Sequence, residues 1–418
     1  MKKKLFVYFH KIREQLWFRP LLFCLASVGA ALFAHQADGT VLDTIVPSIK
    51  TESIKGLLDT ISSSMLVISI FAVASMLSAF ASASNTATPR SFKIVVTDDL
   101  SQNALSVFIG SFIFSIVATV ALDNGFYGKS GTFILFLFTL SLLVLFILTF
   151  LRWVNGISRL GRLEHTISQV ESVAAKSLAT HLKKPFLNAL PITNPLSDGQ
   201  SVLSNYVGYV QHIDMAALQA FAKEKDLKIQ LNCLPGDFIH KNFAITAFAA
   251  TKNFDLDEIT KHINDAIHVG ATRWYEEDPR FGFIALSEIA SKALSTGIND
   301  PGTAIQIIGS HERLFFLWNE SAENDQTNEI LYDCLTVPEI SMADFFNDAF
   351  RPLSRDGADN IEVMLRLQKL FKSIETINHK DIKKMAFQYS MEAYHRAEQA
   401  MEFKPDLDVL KKECLFHQ

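Results

Sequence analysis

The stretch "TFILFLFTLSLLVLFILTFL", residues 132–151, runs for twenty positions without a charge. A helix rises about 1.5 Å per residue, so these residues reach about 30 Å, the thickness of a bilayer's hydrocarbon core. Three more stretches repeat the pattern. "NALSVFIGSFIFSIVATVAL", 103–122, is also uncharged; one span covers about 17–37 around "PLLFCLASVGAALFA", and another, 60–85, lies in the uncharged run from Thr60 to Pro89. The predicted fold class is an α-helical membrane domain of four transmembrane helices plus a cytoplasmic α+β domain. The membrane domain takes residues 1–155, a helical connector and linker takes 156–195, and the α+β domain takes 196–418.

Composition agrees, because 418 residues at 49% hydrophobic content are too apolar for one ordinary soluble domain. Orientation follows from Lys and Arg near the spans. Lys2, Lys3, Lys4, Lys11, Arg13, Arg19, Arg90, Lys93, Arg152, Arg159 and Arg162 fall on one side, and only Lys50, Lys55 and Lys129 on the other. Both termini are therefore expected in the cytoplasm. The first span reads as a retained anchor, since His35 and Gln36 stand where a cleavage site wants small residues. Cys24, Cys233, Cys334 and Cys414 are far apart and form no CxxC pair, which argues against disulfides and a thiolate metal site. A net charge of −5, with no basic block outside the membrane flanks, argues against nucleic acid as a partner.

The second span has thirty uncharged residues, about 45 Å of helix, so one end should tilt or project from the bilayer. Ser64, Ala72, Ser75, Ala79, Ser82 and Thr86 form a small-residue stripe at helical steps. Small side chains let helices pack closely. The same stripe, with Asn85, is also a candidate pore lining, leaving Met65, Leu66, Ile70, Phe71 and Leu77 to lipid or neighbours. Both readings hold together in an oligomer that packs and conducts along one axis. Pro89 should end or bend this helix, and Arg90 should lie at the membrane surface. Asp98 or Asp99 is expected to cap the third span, with Gln102 just inside its start.

In the rest of the chain, "YVGYVQ", a helix capped by Asp214, and "LKIQLNC" form a βαβ-like unit. "LPGDF" turns into a second strand pair ending in "FAITAFAA", and Asp237 is read as a turn aspartate bonding its own backbone. From Asp255 onward the pattern is helical, with Asp255 and Glu258 in a capping-box arrangement. Glu258, His262 and Asp265 share a helix face, but such spacing is ordinary on a solvated surface, so no metal is assigned.

"EEDPRFGFIALSEIASKALSTG" reads as a helix with Asp278 as N-cap, Pro279 at its first position, and an inward face of Phe283, Leu286, Ala290 and Ala293. Gly297 is expected to supply a left-handed stop. Asp300 and Pro301 repeat the device for a helix that turns Ala304, Ile308, Phe315 and Trp318 inward. Capping does not account for Arg273, Asn299 or Thr303. Arg273, Asp278, Asn299, Asp300 and Thr303 are therefore the candidates for a ligand site or a structural joint. A helix N-terminus at Asn299 to Thr303 suits an anion, whereas Asp300 suits a cation or a sugar hydroxyl.

Several of these stretches together resemble a widespread bacterial family of predicted multi-pass membrane proteins with a domain of unknown function. They are a second span ending in Ser/Thr-x-Pro-Arg, the pair Asp98 and Gln102, the "PGDF" turn, and an Arg-...-Asp-x-x-Phe-Gly-...-Ala-Leu-Ser-Pro-Gly-x-Asn-Asp-Pro-x-Thr-Ala pattern. The last stands here as Arg273, Asp278, Phe281, Gly282, Ala293, Leu294, Ser295, Gly297, Asn299, Asp300, Pro301, Thr303 and Ala304. The chain departs at Thr296, where the pattern has proline, and at Trp274. The resemblance implies a four-span inner-membrane protein with a cytoplasmic α+β domain and no established reaction.

The chain contains no P-loop, GxSxG, HExxH or paired cysteines, so a membrane-anchored enzyme is disfavoured, and no catalytic residue or cofactor is assigned. Apart from Arg19 and His35 at the two ends of the first span, Asp, Glu, His and Arg, the usual mark of carriers and proton relays when they lie within the membrane, are missing from the spans. The favoured reading is an oligomeric channel or conductance protein gated by its cytoplasmic domain. The alternative is a membrane-anchored ligand-binding sensor or scaffold. Expected partners are the bilayer and further copies of the chain, with a small ligand at the cytoplasmic domain as a further candidate.

Overall fold

The computed structural model describes residues 15, 17–39, 41–86, 88–96, 99–157, 159, 162–196, 199–250, 254–323 and 329–417. The chain divides into two compact units, Met1–Thr166 and Ile167–Gln418.

The first unit contains four helices long and apolar enough to cross a membrane. They are α1 (Phe18–His35), α3 (Thr51–Thr86), α5 (Asp99–Asp123) and α6 (Lys129–Ile157), with the short α2 (Leu42–Ile45) and α4 (Pro89–Val96) between them. At 36 residues, α3 extends about 54 Å. It begins well ahead of the expected span, because Glu52, Lys55 and Asp59 are compatible with helix but not with hydrocarbon. Pro89 does break the chain's course. It opens α4, whose start is held by Thr88 and Ser91, each accepting the other's backbone N–H.

The third span is central, since α5 packs on α1, α3 and α6. Close approach of α1 and α5 depends on Gly110, where a Cβ would lie 3.1 Å from Phe23 Cβ and 3.3 Å from Ser27 Oγ. Ser27, Ala31 and Ala34 of α1 are buried, so tight small-residue packing occurs between the first and third spans. The inward face of α3 is instead Ile54, Leu58, Ile61, Met65, Ala72 and Met76. Met65, expected toward lipid or neighbours, is buried in a cluster with Phe108 and Trp153. Its place at a three- or four-residue step from Ile61 puts it on the packed face.

A loop clasp closes one end of the bundle. Asp38 accepts from the backbone N–H groups of Gly128 (2.8 Å) and Gly131 (2.6 Å), at the start of α6. Asp43 accepts from the N–H of Ser130 (3.1 Å) and from its hydroxyl.

The boundary falls within α7 (Leu163–Lys183), whose residues from Ile167 on open the second unit, and that unit has two sheets. The larger is ordered β1 (Ala189–Pro191), β8 (Tyr332–Val337), β4 (Leu227–Leu231), β6 (Ala244–Ala250), β2 (Gln200–Leu203). The smaller is ordered β5 (Phe238–Ile239), β3 (Gly208–Ile213), β7 (Ile267–Gly270). The capped helix between β3 and β4 is α8 (Met215–Lys225), with Asp214 accepting from the N–H of Ala217. The expected βαβ unit is not formed, because β3 and β4 lie in different sheets. The parallel partners of β8 are β1 and β4. The region after Asp255 is also not wholly helical, for β7 and β8 fall within it. Both are short, at four and six residues, and sit between helices that dominate the local pattern.

Asp255 caps α9 (Leu256–Ala266) as read. The remaining helices are α10 (Phe281–Ala293), α11 (Pro301–Glu323), α12 (Met342–Asp356), α13 (Ile361–Glu375), α14 (Lys380–Ala400) and α15 (Lys404–Lys412). They enclose an aromatic core of Phe283, Phe315, Phe345, Phe346, Phe350 and Phe371, all fully buried. The inward residues expected of α10 and α11, including Leu286, Ala290, Ile308 and Trp318, are buried too.

Candidate functional site

The five candidate residues of the second unit fall in two places. Arg273 and Asp278 precede α10, while Asn299, Asp300 and Thr303 follow its C-terminal end, where the N–H of Asp300 bonds the carbonyl of Ala293 at 2.8 Å. The 13 residues of α10 put about 20 Å between the two groups.

Around Arg273 the contacts are dense. β7 ends at Gly270, and Gln211 of β3 ties down the following turn by donating to the carbonyl of Thr272 at 2.6 Å. Arg273 Nε donates to Asp278 Oδ2, and the guanidinium lies over the rings of Phe281 (5.4 Å) and Tyr209 (6.0 Å). Asp278 is not the N-cap that was expected. The helix starts at Phe281, and Asp278 Oδ1 accepts from the N–H of Arg280 at 3.1 Å. With the Asp278 side chain 2% exposed, its carboxylate needs a charge partner as much as an amide.

The "PGDF" turn closes over this pair. Gly236 has φ of +99°, and a Cβ there would collide with Asp278 and Arg273. Asp237 accepts from the N–H of Leu234 at 2.8 Å, as its reading as a turn aspartate required. On the other side, Arg280 donates to Asp348 at 2.7 Å and Asp344 at 3.2 Å, both on α12. Two guanidinium groups thus stand among four carboxylates. Burial pushes the carboxyls of Asp237, Asp278 and Asp348 above their ordinary values, against the pull of the arginines. Arg280 is half-buried, which works against its charge, but its bond to Asp348 and the nearby carboxylates raise its pKa.

Gly282 has a different task. Its missing Cβ is where Ala174 of α7 sits, so the Phe-Gly pair of the motif allows α7 and α10 to touch. Arg280, Asp344, Asp348 and the Ala174 contact escaped the reading of the sequence. The four-residue spacing of Asp344 and Asp348 on one helix face was the available signal.

At the far end of α10, Gly297 does not supply the left-handed residue. Asn299 does, at φ +50°, and asparagine tolerates that conformation better than other residues with a Cβ. Asp300 caps α11 as expected, accepting from the N–H of Thr303 at 3.1 Å and from its hydroxyl at 2.5 Å. Those bonds, the hydroxyl's first, lower the Asp300 pKa. They also occupy an amide that an anion there would have used.

In the first unit the stripe residues are dispersed. Ala72 is buried, Ser75 and Ala79 are half-buried, and Ser64 and Ser82 are exposed on α3. Arg90 is half-buried on α4, and Gln102 is buried near the start of α5. Asp98 lies outside the described residues, as do the side chains of Asn85 and Asp99. Among the described residues no group of three or more His, Cys, Asp or Glu side chains has a metal-binding arrangement.

The family model described as "Predicted membrane protein (DUF2254)" matches residues 13–373. The chain belongs to this family. Relatives include the uncharacterized proteins MT1328 of Mycobacterium tuberculosis (strain CDC 1551 / Oshkosh) and Mb1321c of Mycobacterium bovis. Each is 24% identical over 193 residues, which is 43% of this chain and 36% of the relative. The chain therefore spans about a third of the length of these relatives. No solved structure matches the chain.

Proposed function

We propose that this DUF2254 protein is an oligomeric inner-membrane conductance protein, with the second unit cytoplasmic and regulatory. The observation that carries the reading is the division of labour on α3. Ile54, Leu58, Ile61, Met65 and Met76 fill its inward face, while the hydroxyl-bearing Ser64 and Ser82 lie outside the packed interior. The interior of one four-helix bundle is occupied by Phe108, Phe114 and Trp153, so a polar path has to run between copies of the chain. Among the described residues of the four helices, the buried polar groups are hydroxyls and the Gln102 amide, with no carboxylate or guanidinium. That composition suits a passive path better than a proton-coupled carrier.

The test begins with the native mass of the full-length protein in mild detergent. A ring of several subunits, followed by ion flux in liposomes that changes when Ser75 or Ser82 is replaced by leucine, is the expected result. A monomer, or flux indifferent to both substitutions, overturns the reading.

One observation favours the alternative of a ligand-binding sensor. It is the surplus of carboxylate over guanidinium around Arg273 and Arg280, in carboxyl groups raised by burial. Cation-dependent hydrogen-exchange protection confined to residues 234–280 and 344–348, with no ion flux, is the result that selects it.

A further inference from the structure

A second place in the C-terminal unit brings two arginines together over a glycine. Gly309, on α11, has no Cβ, and one built there would lie 3.6 Å from Arg313 Nη1 and 3.8 Å from Arg366 Nη2. Two guanidinium groups, one from α11 and one from α13, therefore converge over bare backbone. Glu171 of α7 takes the Nε and Nη2 donors of Arg313 in a two-pronged pair, and Ser310 shares Nη2. Glu312 takes Nη2 of Arg366. Among the described residues none accepts from Arg313 Nη1, nor from Nε and Nη1 of Arg366.

These donors open into a groove of about 540 Å³ lined by Glu171, Gly309, Arg313, Phe316, Leu317 and Arg366 among others. That volume is in the range of small-ligand sites. The glutamates hold the guanidinium planes in place but also offset their charge. A singly charged ion gains little there, whereas a group with several acceptor oxygens can engage two forks at once.

We propose that this groove binds a phosphate group, with Arg313 Nη1 and Arg366 as donors, Gly309 as the floor, and Phe316 and Leu317 beside whatever the phosphate carries. The phosphate can come from a soluble compound or from a lipid headgroup. The site is separate from the Arg273 cluster, and it stands or falls independently of any conductance.

The experiment uses the full-length protein in phosphatidylcholine nanodiscs, titrated with inorganic phosphate against chloride at constant ionic strength, with binding read by calorimetry. Saturable, phosphate-specific binding is expected, weakened about tenfold or more by Arg366→Gln or Arg313→Gln. Gly309→Ala guards against a folding artefact. Nothing opposes its methyl group and it favours helix, so the variant should fold and still bind phosphate more weakly. A parallel titration with dihexanoyl phosphatidic acid separates the sources. Tighter binding than inorganic phosphate assigns a lipid headgroup, and equal binding assigns a soluble phosphate. No saturable binding of either probe, or binding unchanged in all three variants, overturns the proposal.

Discussion

Two aspartates, one in each unit, are pressed against glycines that leave no space for a Cβ. Asp38 meets Gly128 and Gly131, and Asp278 meets Gly236. They are held by different means. Asp38, with its side chain 18% exposed, is satisfied by backbone N–H groups at the start of α6. Asp278, 2% exposed, has the guanidinium of Arg273. Near water, helix-end dipoles suffice for a carboxylate; away from water a full opposite charge is needed.

The contrast breaks most easily at Arg273. Arg273→Ala strands a buried carboxylate and is expected to cost about 3–5 kcal/mol, measured by chemical unfolding of the detergent-solubilised protein. A loss below about 1 kcal/mol would mean that Asp278 does not depend on its partner.

Gly236→Ala comes next. Holding a residue with a Cβ at φ +99° costs about 1–3 kcal/mol from the backbone alone, and the collision with Asp278 and Arg273 adds to it. If the loss vanishes in an Asp278→Ala background, contact is the main cause; if it persists, the backbone is.

Asp38→Ala removes a helix cap and should cost about 0.5–2 kcal/mol. Asp38→Asn keeps an accepting oxygen for only one of the two N–H groups and should recover part of that loss. Equal damage from both substitutions would show that Asp38 needs both oxygens or its charge, and the two aspartates would then be more alike than their surroundings suggest.

The smallest effect concerns pH. Burial raises the Asp237 carboxyl in the folded state, so the folded protein keeps that proton to higher pH than the unfolded chain does. Its contribution is most favourable below the unfolded value of about 3.9 and is lost as pH rises through the folded value. Asp237→Asn should therefore gain stability relative to the parent as pH rises through that window. A constant difference from pH 4 to 7 would contradict the raised value.

Much of this was legible in the sequence. Uncharged runs of bilayer length mark the spans because the solvent there tolerates nothing else, and Asp214, Asp255 and Asp300 mark helix starts because capping is local. Contacts between distant segments left fainter traces. Nothing near Gly282 points to Ala174, and nothing near Gly236 points to Asp278. Gly297 stands where a glycine helix stop is expected, but the left-handed conformation falls two residues on, at Asn299. Met65 and Leu66 are adjacent, yet Met65 packs against the neighbouring helices and Leu66 is exposed, a difference set by a fraction of a helical turn. The βαβ reading failed because β4 found its parallel neighbour a hundred residues downstream.

That neighbour, β8, sets a timetable. Among the described residues it is the only strand that pairs with β1, and it lies between β1 and β4. Strand β1 ends at Pro191, and β8 begins at Tyr332. As the chain leaves the ribosome, β1 has no partner and one edge of β4 stays open until about 140 further residues, including α10 and α11, have been made. Such distant pairing is slow, and an open strand edge invites pairing with the wrong chain. The larger sheet is thus completed late in synthesis, and a chain cut short before Tyr332 would carry both unfinished edges.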